Sequence, residues 1–446
     1  MMPVQDLAHR SQTAIWHPCT QMAHLHRVPP LPIARGEGPW LVDTDGRRYF
    51  DANSSWWVNL FGHGDAGITG AIHRQLDTLA HVMLAGCTHE PAVRLGELLA
   101  ARTGGQLGHT FFASDGASAI EIALKMSFHA WANQGQAQRR EFVCLRHGYH
   151  GETIGALAVT DVQLFRDAYA PLLMQAHIVA SPDSRDGAAS EAEALHALRE
   201  LLAARGEHIA AVVVEPLVQC AAGMRMHSPA YLRAVRELTR EAGVHLIADE
   251  IAVGCGRTGR FFAWEHVLAA TPGADGPFWP DFLTLSKGIT AGTLPLSLVL
   301  TTDAVYNAFW SDDVRRGFLH SHSYSGNALA CAAAVAVLER FADGALLGEL
   351  AQQAQHLRTA FAPLADDDRV EHLRQRGTIL AFDVKAELAG ADFALRYHLA
   401  ARTHGLLIRP IGGTVYLMPP YVVDAPTAAW LARAVGATLD EVSHAA

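Results

Sequence analysis

The chain has 446 residues, half of them hydrophobic, with a formal net charge of −10. That length allows roughly two or three domains with ample core and no need of a disulfide or metal staple. The acidic balance argues against nucleic acid, which needs a basic stripe, and no run approaches the about 18 uncharged apolar residues of a membrane span, so neither partner is expected.

In chain order, Pro39 to Asp51 reads as a hairpin with Asp45-Gly46 at its turn. Phe111 to Lys125 opens with Ser114, Asp115, Gly116, Ala117 and Ser118, then takes helical spacing at Ile120, Ala123 and Leu124. Glu141 to Leu145, His208 to Leu217, Gly243 to Ile251 and Asp281 to Ser286 are short apolar runs of strand type. Between them, Glu191 to Ala204 and Ser228 to Ala242 carry amphipathic helical patterns. The Pro/Gly-rich stretch 271–280 reads as a surface loop, and Leu406 to Arg409 and Thr414 to Leu417 as short strands.

Uninterrupted apolar strands alternating with helices predict an α/β fold, with a mostly parallel central sheet covered on both faces. The mixed ends predict a small α+β domain built from residues 1–60 and 336–446, around a large domain at 61–335. The six cysteines are scattered without C-x-x-C pairs, which reads as reduced thiols in a cytoplasmic protein. Met1 to Arg10 lacks the apolar stretch of a secretory signal. The 25 histidines read as compositional bias: no H-E-x-x-H occurs, and His320-Ser321-His322 lies among small polar residues, so no metal is expected.

Four strand ends carry polar groups: Arg146 to Gly151, Glu215-Pro216, Asp249-Glu250 and Ser286-Lys287-Gly288. In open α/β sheets, ligands sit beyond the carboxyl ends of strands. Lys287 taken alone reads as an exposed strand-end lysine sooner than as a Schiff-base nucleophile with a lowered pKa. Asp249, at the end of a neighbouring apolar run, adds the anionic partner that the pyridine nitrogen of pyridoxal 5′-phosphate requires. The small residues before the helix at 116 suit either an ordinary cap or a phosphate cradle. Tyr149, flanked by glycines, suits either a packed turn or stacking on a flat ring.

With these residues in view, LIADEIAVGCGRTGRFFAWEH followed by PDFLTLSKGITAGTLPLS resembles the cofactor-attachment region of class III (fold type I) aminotransferases. GYHGET, VVVEPLVQCAAGM and HSHSYSGNALACAAA are similar to further blocks of that family, in order, over nearly the whole chain. The resemblance implies pyridoxal 5′-phosphate as cofactor. Lys287 would hold it as a Schiff base and shuttle the substrate proton. Asp249 would pair with the ring nitrogen, Tyr149 would stack on the ring, and Gly116 and Ala117 would offer N–H groups to the phosphate. Ser323 would add a phosphate contact from the neighbouring subunit, making a homodimer part of the site.

The terminal blocks Ile15-Trp16-His17-Pro18-Cys19-Thr20, Asn53-Ser54-Ser55-Trp56-Trp57 and Ile408-Arg409-Pro410 with Val415 to Tyr421 resemble the biotin-biosynthesis branch of the family. That branch moves an amino group from S-adenosylmethionine to 8-amino-7-oxononanoate in two half-reactions. The likeness implies substrate contacts from Trp56, Trp57, Tyr149, Lys287, Ser321, Arg409 and Tyr416. Arg409 can bind a carboxylate bidentately, and the tryptophans can wall an apolar chain or face a sulfonium. The chain departs from the pattern at Cys19, where the best-known members have tyrosine, at Glu152 for aspartate, and at Ala117, where a serine often stands. Other readings stay open: a class III aminotransferase using lysine, ornithine or 4-aminobutyrate, a decarboxylase or aminomutase on the same fold, and a non-enzymatic cofactor-binding protein.

Overall fold

The computed structural model describes residues 7–269 and 278–444. Of the stretch expected as a surface loop, 271–277 lies outside the described residues. The chain divides into two units, one formed by residues 1–65, 355–373 and 381–446, the other by 66–354 and 374–380.

In the first unit, β1 (Ile33–Glu37), β2 (Trp40–Asp43) and β3 (Arg48–Asp51) form an antiparallel meander. The expected hairpin is its second half: Trp40 faces Phe50, Leu41 faces Tyr49, and Gly46 takes the positive φ of +84° that the turn demands. The Asp43 carboxylate caps this turn, accepting the N–H groups of Asp45 and Arg47 at 2.9 and 2.8 Å.

In the second unit, β4 (His109–Ala113), β5 (Glu141–Leu145), β6 (His177–Val179) and β7 (Ile209–Val214) are followed by the two-stranded ribbon β8 (Val218–Gln219) and β9 (Arg225–Met226). Then come β10 (His245–Asp249), β11 (Phe282–Leu285) and β12 (Ser297–Thr301). The main sheet has the order β4-β12-β11-β10-β7-β5-β6. β6, β5, β7, β10 and β11 run parallel; β12 alone runs against its neighbours β11 and β4. Every residue of β7, β10, β11 and β12 is buried, which is why these runs read as continuous apolar stretches without alternation.

Helices cover the sheet. Gly116–Asn133 buries Ile120, Ile122, Ala123 and Leu124 against a core that includes Val213, Ile247, Phe282 and Val299. Pro229–Glu241 starts where Ser228 accepts the N–H of Tyr231 at 3.1 Å, with proline in the first turn, where its missing N–H costs nothing. No described helix is long and apolar enough to cross a membrane.

Late segments of the chain form a further sheet and extend the first. β13 (Val370–Arg376), β14 (Ile379–Val384) and β16 (Thr414–Leu417) form a three-stranded sheet, and β15 (Leu406–Leu407) pairs in parallel with β3. The expected strand at 406–409 is thus two residues long. The helix Ala425–His444 brings Trp430 against Trp40 and Phe50, with ring centroids at 5.2 and 5.9 Å.

Candidate active site

β10 and β11 are adjacent and parallel, with Asp249 paired in register with Thr284. Asp249 closes β10. Lys287 begins a 3-10 turn, Lys287–Thr290, two residues past β11, and takes a φ of +48°. The four polar strand ends read from the sequence belong to β11, β10, β7 and β5, four neighbours of one sheet whose carboxyl ends share an edge.

Asp249 is buried and fully engaged. Its Oδ1 accepts from Ile251 N–H at 3.0 Å and the Thr284 hydroxyl at 3.3 Å, and its Oδ2 accepts from His150 Nδ1 at 2.7 Å. Burial works against a charge on His150, but the hydrogen bond and negative charge of Asp249, with Glu215 behind it, raise its pKa. Glu215, buried at the end of β7, accepts the N–H of Tyr149 at 3.0 Å and of Cys220 at 3.2 Å. Loss of solvation pushes its carboxyl up to about 7, against the pull of the His150 charge. For Lys287, burial lowers the amine's pKa, and Asp249, Cys220 and Glu215 oppose that only in part. A larger unprotonated fraction makes the amine a better nucleophile.

The Tyr149 hydroxyl donates to Glu152 at 2.9 Å, and its ring meets Phe165 edge-on at 5.7 Å. This loop lies against the start of the helix Gly116–Asn133: a Cβ built on Gly151 would fall 2.5 Å from Ala117 Cβ. A Cβ on Gly116 would meet Ile251 at 3.0 Å. Asp115 caps the helix by accepting the Ser118 N–H at 2.9 Å. The N–H groups of Gly116 and Ala117 are the first of the helix and find no acceptor among the described residues. They form an anion cradle where the helix dipole favours negative charge. A cofactor with an aldehyde, a basic ring nitrogen and a phosphate is therefore matched group for group by Lys287, Asp249 and this cradle, and pyridoxal 5′-phosphate fits the residues present.

Ser321 and Ser323 are exposed, and the Ser323 carbonyl accepts from His81 Nε2 at 2.7 Å. In the first unit, Trp57 is buried and its indole N–H donates to the Tyr416 hydroxyl at 3.0 Å, while Trp56 is half exposed with Arg409 Cζ over its ring, 5.6 Å from the centroid. Asn53 joins these parts: its amide donates to the Tyr416 carbonyl at 3.0 Å, and its Oδ1 accepts the Arg409 N–H at 2.7 Å. Cys19 is exposed. Sequence reasoning missed His150, although it lies inside the quoted GYHGET block; a histidine next to an expected stacking residue was the available signal. It also passed over Glu250, whose two oxygens accept the N–H groups of Ala263 and Trp264, each at 2.7 Å.

A lysine and an aspartate lie at adjoining strand ends of one buried sheet, with an open helix N-terminus packed against the same loops, an arrangement able to hold an aldehyde cofactor. The chain belongs to the class III aminotransferase family, whose model matches residues 21–439. It is similar to the adenosylmethionine-8-amino-7-oxononanoate aminotransferase of Helicobacter pylori, at 40% identity over 428 residues covering 94% of each chain. The enzyme of that name from Synechococcus elongatus is 38% identical, covering 97% of this chain and 100% of the relative. Among solved structures, the adenosylmethionine-8-amino-7-oxononanoate aminotransferase of Methanocaldococcus jannaschii matches with a TM-score of 0.92 and 32% identity, over 98% of this chain and 99% of that one. An amine transaminase from an uncultivated Pseudomonas species, in its pyridoxal-phosphate-bound form, matches with a TM-score of 0.87 and 31% identity, over 96% and 98% of the two chains. The α/β expectation and the family resemblance both hold.

Proposed function

We propose that this aminotransferase carries the amino group of S-adenosylmethionine to 8-amino-7-oxononanoate, giving 7,8-diaminononanoate for biotin biosynthesis, with pyridoxal 5′-phosphate as cofactor. The observation that carries the reading is the guanidinium of Arg409 over the exposed ring of Trp56, 5.6 Å from its centroid. A cation beside an apolar wall suits an acceptor with a carboxylate on a long apolar chain, and the ring face suits a sulfonium donor. The full-length likeness to relatives bearing that activity in their names supports it.

When bound, pyridoxal phosphate supplies a cationic ring that draws electrons from the amine-bearing carbon. Lys287 Nζ would hold the cofactor's aldehyde and would take and return the proton at that carbon. Asp249 would pair with the protonated ring nitrogen, and His150, donating to Asp249, orients that carboxylate. Tyr149 would stack on the ring. The Gly116 and Ala117 N–H groups would bind the phosphate, joined by Ser323 of a second copy in a homodimer. Arg409 receives the substrate carboxylates in turn, with Trp56, Trp57, Ser321 and Tyr416 shaping specificity, most of them in the small domain read over 1–60 and 336–446. We place the enzyme in the cytoplasm.

The test is the donor half-reaction, run with S-adenosylmethionine and with lysine in parallel. S-adenosylmethionine is expected to bleach the visible absorption of the cofactor-loaded protein. Bleaching by lysine, ornithine or 4-aminobutyrate, with none by S-adenosylmethionine, overturns the reading. Lys287→Ala is expected to bind the cofactor and lose turnover; sustained turnover would remove Lys287 from its role.

A further inference from the structure

Four consecutive side-chain-bearing residues, Ser54, Ser55, Trp56 and Trp57, have φ values of +50°, +48°, +72° and +73°. Bulky residues avoid this left-handed region, and where they enter it they do so singly. A whole left-handed turn persists only where its surroundings over-determine it, and such places cluster at functional sites.

The surroundings can be named. Asp51, at the end of β3, is 1% exposed. Its Oδ1 accepts the Ser55 N–H at 2.8 Å, and its Oδ2 accepts the Ser55 hydroxyl at 2.6 Å and lies 3.0 Å from His63 Nε2. The turn closes through Trp57 N–H to the Asn53 carbonyl at 2.7 Å. What the turn delivers is Trp56, held out at the surface with Arg409 over its ring. Asn53, two residues beyond Asp51, holds Arg409 by its backbone. Two polar side chains at one strand end thus fix both members of the pair.

We infer that Asp51 is a positioning residue for substrate specificity: its carboxylate holds the left-handed turn so that Trp56 stays against Arg409. It touches no substrate and acts through Trp56. The inference rests on the reading of Arg409 and Trp56 as carboxylate and chain contacts, and deepens it.

The experiment measures kcat and KM for 8-amino-7-oxononanoate and for its methyl ester, which lacks the charge, in four variants of the full-length, cofactor-loaded enzyme. Asp51→Ala is expected to raise KM for the acid about tenfold, leave kcat within about twofold, and cut the preference for acid over ester about tenfold. Asp51→Asn, which keeps an acceptor for the Ser55 N–H, is expected to recover most of that preference. A merely structural role would lower acid and ester turnover together and leave their ratio unmoved, which overturns the inference. Should Asp51→Ala fail to fold, Ser55→Ala decides: removing only the hydroxyl arm is expected to shift KM for the acid about threefold in the same direction, and an unchanged KM overturns the inference. Arg409→Ala separates the two levels. If it leaves the acid-over-ester preference intact, the underlying reading fails; if it abolishes the preference while the Asp51 and Ser55 variants keep it, only the positioning role fails.

Discussion

At Glu250 the chain buries a carboxyl group and satisfies it wholly from the backbone, through Ala263 and Trp264. The group staples the two ends of the segment 251–264, which carries Gly256 with a φ of +97°. Burial lifts its pKa from the ordinary 4.5 to about 8, the two N–H donors offsetting only part of the cost. A group raised on folding binds its proton more tightly in the native state, so its contribution is complete below 4.5 and is lost as pH rises through about 8. In Glu250→Gln, one of the two N–H groups faces an amide donor, at a cost of about 1–3 kcal/mol. That cost should shrink as pH climbs across the same window, by up to about 1.4 kcal/mol per pH unit. Denaturant unfolding of both proteins at several pH values measures it. Lys287 and Asp249 were legible because each ends an apolar run in the chain. Glu250 and His150 were not, because a buried polar side chain declares its purpose only through partners distant in sequence: Trp264 for the one, Asp249 for the other.

Among elements, the decisive contact is between the loop after β5 and the first turn of the helix Gly116–Asn133. Gly151 has a φ of +125°, and its α-carbon leaves no room for a side chain beside Ala117. Gly151→Ala should strain the backbone and push the Tyr149 loop off the helix, costing about 2 kcal/mol. Cofactor affinity is expected to fall about tenfold with the fold retained, as read by fluorescence titration with pyridoxal phosphate. The helix itself was plain from its spacing and its Ser/Asp start, as were β5, β7, β10 and β11 from their β-branched runs. The reversed direction of β12 escaped because Ser297 to Thr301 is as apolar as the parallel strands β7, β10 and β11, and composition carries no sign of strand direction. The left-handed turn at Ser54 escaped for a related reason: nothing in S-S-W-W announces a conformation imposed by Asp51.

For the whole molecule, the arrangement of the chain matters more than any one contact. β3 pairs with β15, so Phe50 faces Leu406, and the Ala52 carbonyl accepts from Met418 N–H at 2.9 Å. The meander's aromatic face, Trp40 and Phe50, is covered by Trp430. A fragment of residues 1–65 should therefore show no cooperative thermal transition by circular dichroism, since its apolar face has no cover and three short strands bury too little alone. Which strands join across the two ends was not legible, because pairing between β3 and β15 leaves no local trace.

The reversed strand β12 carries a last consequence. Its entry residue Ser297 stands opposite Ala113, the exit of β4, and its hydroxyl donates to the Asp115 carbonyl at 2.5 Å, just ahead of the open helix N-terminus at Gly116. Wherever one ribbon is laid head to tail among the others, the working rim gathers a beginning as well as endings. A hunt for reactive or supporting groups along this rim that inspects only where strands finish will walk past the serine that braces it.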